Sequence, residues 1–317
     1  MEHSIERVPV ATMASGFELA LTIHTYRNGT GPTVGISAAI HGDEPISTEV
    51  VRRVAHHLES FGEELRGTVR LLPVANPLAY ETRTRNTVLD ATNLNRVFPG
   101  DPEGWLTEKL ATKIVAHFLT GLDAYVDLHA GGDYPVVDYV YLNNSPDLSR
   151  AFGSKLLYHP SNPYQGTTAT VAIEQGTPAV TIELGGGLFA EEHYAQRTLD
   201  GILNILRTAG VLAGSAKPAP EQILMHELAV MRPHHGGILV PAVHVPNLGS
   251  EVPGGTVLGR IYSPYTFDLL ETIEAPFPHS LLVLVRDNLA PIHPGSFMYM
   301  VGNADSAEML PAGAPNR

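Results

Sequence analysis

No cysteine occurs in the 317 residues. Disulfides, thiolate zinc sites, iron–sulfur clusters and thiol nucleophiles are thereby excluded, and any metal has to be held by His, Asp or Glu. Positive charge is scarce. Twenty Lys and Arg stand against 33 Asp and Glu, a formal net charge of −13, which argues against a general nucleic-acid or anionic-membrane binder. Long hydrophobic runs are missing as well: stretches such as Leu281–Val285 fall far short of the roughly 18 residues that span a bilayer. The opening MEHSIERVPVATMAS carries acidic residues and no apolar core of the kind a secretory signal needs, so a cytoplasmic location is the expectation. Apolar residues make up 44% of the chain, enough for one large domain or two ordinary ones.

From about Gly16 to Gly210 apolar β-branched runs alternate with longer amphipathic stretches, the pattern of an α/β domain. Thr33–Ile40, Thr68–Ala75, Ala124–His129, Tyr139–Leu142 and Ala179–Leu184 read as strands. Ser47–Ser60 reads as a helix with Val50, Val51, Val54 and Leu58 on one stripe and Pro45 in its first turn. Thr107–Leu122, with Leu110, Ile114, Val115 and Phe118 inward, and Glu191–Leu212 read as further helices, and Gly176 and Pro178 favour a helix end after Thr168–Gln175. Leu78–Pro102 is polar, irregular and long for a connection, which favours function. Gly214–Pro220 is the candidate linker between residues 1–213 and a second unit, 221–303. In that unit Ile223–Met231, Gly237–Val240, Thr256–Ile261, Phe267–Ile273, Leu281–Val285 and Phe297–Val301 are separated by Gly and Pro, as in a small all-β barrel or sandwich. Asn303–Arg317 is expected to fray.

Position, rather than the number of histidines, selects the chemistry. His41-Gly-Asp-Glu44 follows an apolar strand directly, and a strand end with a tight turn can aim an imidazole and a carboxylate at one point. HxxE is common by chance, so the pair alone carries little. His129 also ends an apolar strand, and strand ends in an open α/β sheet form the ligand crevice. Two histidines and a carboxylate leave a fourth zinc position for water, as in a catalytic site. Glu183 ends a third strand, and Gly185-Gly186-Gly187 remove side-chain bulk where a substrate could approach. The long loop supplies Arg85 and Asn93-Leu94-Asn95-Arg96, and a guanidinium beside amides suits a substrate carboxylate. Asp127 shares a strand face with His129 and could support it.

HGDEP, NPLAY…TRTRN…NLNRVFPG, DLHAGG and TIELGGG, in this order, resemble the succinylglutamate desuccinylase/aspartoacylase branch of the zinc carboxypeptidase superfamily, over roughly residues 30–210. The resemblance implies a mixed sheet flanked by helices, with a C-terminal β barrel of the kind many relatives carry. By the same resemblance His41, Glu44 and His129 would ligate one Zn²⁺ per chain, and Glu183 would be general base and acid. Arg85 would polarise the scissile carbonyl, with Arg83 as the competing choice, while Asn95 and Arg96 would hold a substrate carboxylate. The activity implied is hydrolysis of a small N-acylated amino acid or related amide, and the NLNRVFPG form is similar to N-acetyl-diaminobutyrate deacetylases.

Other features have plainer readings. His56-His57 and His234-His235 are surface or satisfied polar residues, since neighbours on a helix point about 100° apart. Trp105 is expected to pack near the long loop, and Tyr134, Tyr139 and Tyr141 to fill core positions or line the mouth of the site. The VPGG of Val252–Gly255 resembles a biotinyl or lipoyl barrel, yet Lys109, Lys113, Lys155 and Lys217, the chain's lysines, all precede it. Its alternatives are a lid, an oligomer contact or a wall of the site. Competing functions are a metallocarboxypeptidase acting on short peptides and an inactive metal- or ligand-binding relative. Neither nucleic acid nor membrane is an expected partner, and homo-oligomerisation is left open.

Overall fold

The computed structural model describes residues 1–313. β1 (Glu2–Thr12) and β2 (Glu18–Arg27) form an antiparallel hairpin not anticipated from the sequence, although Leu19, Leu21 and Ile23 of β2 alternate and are buried on one face. Glu2 to Arg7 face solvent on both sides of β1, so the alternation that marks a half-buried strand is missing there. The following elements are β3 (Thr33–Ser37), α1 (Pro45–Ser60), β4 (Thr68–Leu72), α2 (Pro77–Thr82), α3 (Leu106–Ile114), β5 (Ala124–His129), β6 (Pro135–Tyr141), α4 (Pro146–Ala151), β7 (Leu156–Tyr158), α5 (Thr168–Glu174), β8 (Ala179–Gly186) and α6 (Glu191–Thr208). β4, β3, β5 and β8 lie side by side and parallel, with β2 antiparallel on one flank and β6 antiparallel on the other.

Strand alternation divides this sheet into two unlike faces. Val126, Leu128, Val180, Ile182 and Leu184 bury against Val50 and Val54 of α1 and Ile202 and Leu206 of α6. On the opposite face Tyr125 and Ala179 are covered by Leu110, Ile114, Phe118 and Val171. One pleat further along, that same face carries Asp127 and His129 on β5 and Thr181 and Glu183 on β8. Apolar cover therefore stops where the polar residues begin, and the carboxyl ends of the parallel strands are left for a site.

Several connections differ from the pattern read in the sequence. Leu78–Pro102 begins within α2, which Asn76 caps through its side-chain oxygen, and holds a 3₁₀ turn at Leu94–Arg96 capped by Asn93. The helix expected to reach Leu122 is regular only to Ile114 and continues as a π turn over Val115–Leu119, with Phe118 buried as anticipated. Trp105 does not pack: it is 73% exposed, and its backbone N–H donates to Glu108 at the start of α3.

After Gly214–Pro220 come β9 (Gln222–Met225), β10 (Leu228–Met231), β11 (Gly237–Pro241), β12 (Glu251–Pro253), β13 (Val257–Tyr262), β14 (Leu269–Glu274), β15 (His279–Arg286), β16 (Ala290–Ile292), β17 (Tyr299–Asn303) and β18 (Glu308–Leu310). The run Ile223–Met231 is thus two strands. No closed ring of strands forms among the described residues. β14, β13, β11 and β16 make one sheet, whereas β15 pairs with β6 and β9 with β7, extending the main sheet. The two sheets face each other through Leu239, Leu258 and Ile261 on one side and Val285, Tyr299 and Val301 on the other. Asn303–Arg317 is not frayed as far as residue 313, because β18 pairs with β9; residues 314–317 lie outside the described ones.

Candidate metal and hydrolytic site

His41 lies in the turn between β3 and α1, held by Ala39 N–H donating to Ser47 Oγ and Ser47 Oγ donating to Glu44 O. Gly42 is needed there, since a Cβ at that position would fall 1.9 Å from the Ala79 carbonyl oxygen of α2. Glu44 immediately precedes α1 and points its carboxylate back over the turn. Its Oε1 lies 2.8 Å from His41 Nδ1 and its Oε2 lies 3.0 Å from His129 Nδ1. All three residues are buried. They are the one grouping of three or more His, Asp or Glu side chains among the described residues that could hold an ion, with ligand atoms within 4.8 Å of one another.

The outer ring nitrogens show what this grouping fits. His41 Nε2 lies 3.2 Å from Asn93 Oδ1, an oxygen that also accepts from Asn95 N–H. His129 Nε2 lies 3.1 Å from Asp127 Oδ2. With a proton on each Nε2, both Nδ1 lone pairs turn toward the Glu44 carboxylate, so acceptors surround one point from three sides. Such a donor set fits a divalent cation, and zinc accepts this mixture of nitrogen and oxygen. Asp127 is fixed by Thr168 Oγ1 at 2.6 Å and Ser37 Oγ at 3.1 Å. Sequence reasoning missed the parts of Asn93, Ser37 and Thr168. Only the placement of Asn93 in the loop motif, two residues before Asn95, gave a hint.

Charge in the cluster follows from burial and proximity. Burial alone would raise Glu44, yet the two histidines beside it hold its carboxyl well below the ordinary range. His41 is lowered, with burial outweighing its carboxylate neighbour. His129 is the reverse: burial is overcome by Asp127 and Glu44, and its imidazole is held well above the usual value. Glu183 is pushed up to about 8, chiefly by removal from water and further by the Glu44 charge, against the pull of His129.

Cross-strand register places Glu183 opposite His129 on β5 and opposite Tyr139 on β6. Both it and the metal-type cluster open onto one cavity of about 160 Å³. Arg85 enters this cavity and donates from Nη1 to Glu44 Oε1 at 3.2 Å, whereas Arg83 turns away to Asp133. Asn95 lies on the wall with its Oδ1 accepting from Thr168 N–H and its Nδ2 3.3 Å from His129 Nε2. Arg96 donates to the Asn95 carbonyl and stacks over the Tyr164 ring, 5.2 Å from its centroid. No carboxylate of a described residue forms a salt bridge with it.

Two further walls complete the space. Tyr139 and Tyr141 line it, while Tyr134 is exposed under the Arg286 guanidinium. Val137, Leu284, Phe297 and Met300 make an apolar side, three of them contributed from beyond the Gly214–Pro220 linker. The glycines after Glu183 serve a purpose other than substrate access. A Cβ on Gly186 would meet the Pro135 carbonyl oxygen at 2.5 Å, and Gly131 N–H donates to the Gly185 carbonyl while Gly187 N–H donates to the Gly132 carbonyl. They let the ends of β5, β6 and β8 close on each other.

Residues 30–209 match the succinylglutamate desuccinylase/aspartoacylase catalytic domain. The chain is 26% identical over 278 residues to the N-alpha-acetyl-L-2,4-diaminobutyric acid deacetylase of Halomonas elongata, covering 83% of this chain and 80% of that one. Among solved structures, a succinylglutamate desuccinylase/aspartoacylase from Rhodobacter sphaeroides has a TM-score of 0.81 at 23% identity, over 95% of this chain and 96% of that one. The product-bound ectoine utilization protein EutE (DoeB) from Ruegeria pomeroyi likewise scores 0.81, at 24% identity over 95% and 94%. These likenesses are of fold. No helix of the described residues is long and apolar enough to cross a membrane. The match over the greater part of the chain, together with the architecture, identifies it as a member of the succinylglutamate desuccinylase/aspartoacylase family.

Proposed function

We propose that this protein is a zinc-dependent deacylase that hydrolyses the amide bond of a small N-acylated amino acid or related N-acyl compound. The observation that carries the reading is the convergence of His41, Glu44 and His129 around one point beside Glu183, whose carboxyl accepts no hydrogen bond from a described residue. Family membership and the deacetylase name of the Halomonas elongata relative support the same reaction class.

His41, Glu44 and His129 would hold one Zn²⁺ per chain. A zinc ion there supplies Lewis acidity, lowering the pKa of water and drawing electron density from an acyl oxygen. Glu183 takes the proton from the attacking water as the carbon–oxygen bond forms, and returns it to the nitrogen as the carbon–nitrogen bond breaks. The products are a carboxylic acid and an amine. Arg85 stands where negative charge develops on the acyl oxygen. Arg96, with the Asn95 amide, receives the substrate carboxylate, because a guanidinium pairs with a carboxylate through two parallel hydrogen bonds. Val137, Leu284 and Met300 offer the acyl group an apolar side of the same cavity, suited to a short uncharged chain.

A peptidase would share the metal ligands, but a small cavity walled by Leu284, Phe297 and Met300 favours a compact substrate. The test is metal analysis together with turnover of N-acetyl amino acids, N-succinyl amino acids and short peptides. Zinc-dependent release of acetate or another short acid is expected. Cleavage confined to peptides would move the protein to the peptidase reading. Bound zinc without turnover of any of the three sets would leave a binding protein.

A further inference from the structure

The tyrosines of β6 take no part in the hydrolytic scheme, yet they occupy the floor of the cavity. Tyr139 faces Glu183 across the β6–β8 ladder and Tyr141 faces Thr181. Tyr139 Oη donates to Tyr141 Oη at 3.1 Å. A hydroxyl has one proton and two lone pairs, so Tyr141 spends a lone pair on Tyr139 and keeps its own proton. That proton has no acceptor among the hydrogen bonds of the described residues. The ring cannot easily turn aside to find one. It is wedged between Tyr139 and Tyr158, with centroids 5.3 and 5.6 Å away, and Tyr158 is held beside it by the Tyr141–Tyr158 register of β6 and β7. Two charged groups share the cavity with the Tyr141 hydroxyl, the Arg96 guanidinium and the Glu183 carboxyl; of the two, only the guanidinium would draw a substrate carboxylate to that hydroxyl.

We propose that Tyr141 is a substrate-binding residue that donates its hydroxyl proton to the carboxylate held by Arg96, with Tyr139 as the positioning residue that aims it. The inference rests on the reading of Arg96 as a carboxylate site and adds its second arm. The two arms differ in kind. Arg96 supplies charge from a loop that follows β4 and α2, and Tyr141 supplies a fixed neutral donor from the sheet. A carboxylate bound between them is set at a defined distance from Glu183, since Tyr139 and Tyr141 are neighbours on the same face of one strand. The pair therefore selects substrates by the spacing between carboxylate and scissile amide as well as by charge.

The test compares the N-acetyl-L-amino acid that wild type handles best, from a panel, with the same compound lacking its carboxylate, for example N-acetyl-L-alanine against N-ethylacetamide. Wild type, Tyr141→Phe and Tyr139→Phe are measured for kcat/KM, and for binding by calorimetry in a Glu183→Gln background that suppresses turnover. Tyr141→Phe is expected to weaken binding of the carboxylate compound by about tenfold or more, the usual effect of losing a hydrogen bond to a charged group, and to act on KM rather than kcat. It should leave the decarboxylated compound unchanged. Tyr139→Phe should give a smaller loss with the same selectivity. Equal losses on both compounds would reduce Tyr141 to a packing residue and overturn the proposal, as would an unchanged affinity for the carboxylate compound. Binding that depends on Tyr141 without any hydrolysis by wild type would sink the deacylase reading and leave this inference standing. Absence of binding by every N-acetyl and N-succinyl amino acid would sink both.

Discussion

Glu183 is the direct ladder partner of His129: β5 and β8 run parallel and in register from Tyr125 opposite Ala179 to His129 opposite Glu183. A side chain of metal-ligand type and an unpaired carboxyl are thus placed by backbone hydrogen bonding, without help from a mobile loop. The pair shares a face with Asp127 and Thr181, and the apolar cover of α3 and α5 ends just before them. Their separation is therefore set by the sheet itself, which is what the proton transfer proposed for Glu183 requires.

Replacing Glu183 with Gln should preserve the metal content and reduce turnover by about 10²–10⁴-fold, the range for loss of a general acid–base group. Zinc stoichiometry and kcat measured on the same preparation check this. Near-native turnover would remove Glu183 from the proton path.

Asp127→Asn should weaken zinc binding by about 10–100-fold, as loss of an outer partner of a ligating histidine does. The charged acceptor for His129 Nε2 disappears, and with it the preference for presenting Nδ1. Competition with a chromophoric chelator would measure the shift, and His129→Ala should show a larger one. Equal affinities in wild type and Asp127→Asn would contradict the role given to Asp127.

Metal uptake should release protons. Without metal, Asp127 and Glu44 hold the His129 imidazole well above 6.5 against burial, which favours its protonated form, and an ion bound there must displace that proton. Apparent zinc affinity should rise about tenfold per pH unit for each proton released, and level off above the raised value. Titration calorimetry in buffers of different ionisation enthalpy counts those protons. The same shift sets the stability of the metal-free fold. The His129 contribution is complete below 6.5 and is lost as pH rises through the raised value. Glu183, lifted from 4.5 to about 8, counts increasingly against the fold over that interval. The metal-free melting temperature should accordingly fall as pH climbs above neutrality, and a rise would contradict both assignments.

Gly186→Ala should destabilise the protein by about 1–3 kcal/mol or more, the range for strained backbone. Gly186 has φ +111°, and its new Cβ would meet the Pro135 carbonyl oxygen and Gly131. Chemical denaturation measures it. Because the glycine holds strand ends together and does not line the cavity, kcat/KM per folded molecule should suffer less than stability. An unchanged midpoint would show that the three strand ends tolerate separation.

How much of this was legible beforehand depended on the range of the contacts. His41, Glu44, His129 and Glu183 stand at strand ends with turn residues behind them, so local pattern sufficed to bring them forward. Arg83 and Arg85 could not be told apart by spacing, because the left-handed conformation of Arg83 that sends it to Asp133 leaves no mark in sequence. Pairing of β6 with β15 joins segments far apart in the chain, and nothing near Val137 or Leu284 announces it. The apolar wall was consequently one of several options for the C-terminal strands. The glycines of TIELGGG were read as making room for a substrate, when the space beside them is taken by Ile46 and Tyr194 at Gly185 and by residues 134–136 at Gly186 and Gly187. β1 showed little pattern, since Glu2 to Arg7 are exposed on both sides and only Val8 and Val10, near its end, reach the core.

Continuity of the main sheet across Gly214–Pro220 has an evolutionary corollary. A chain stopped at residue 213 would leave β6 and β7 each with a bare hydrogen-bonding edge and would strip Leu284, Phe297 and Met300 from the cavity wall. The cavity is thereby walled by two stretches of polypeptide that one sheet holds together and that must be inherited as a pair. Substitution at Leu284, Phe297 or Met300 would reshape the cavity over evolutionary time while leaving His41, Glu44, His129 and Glu183, all in the earlier stretch, in place.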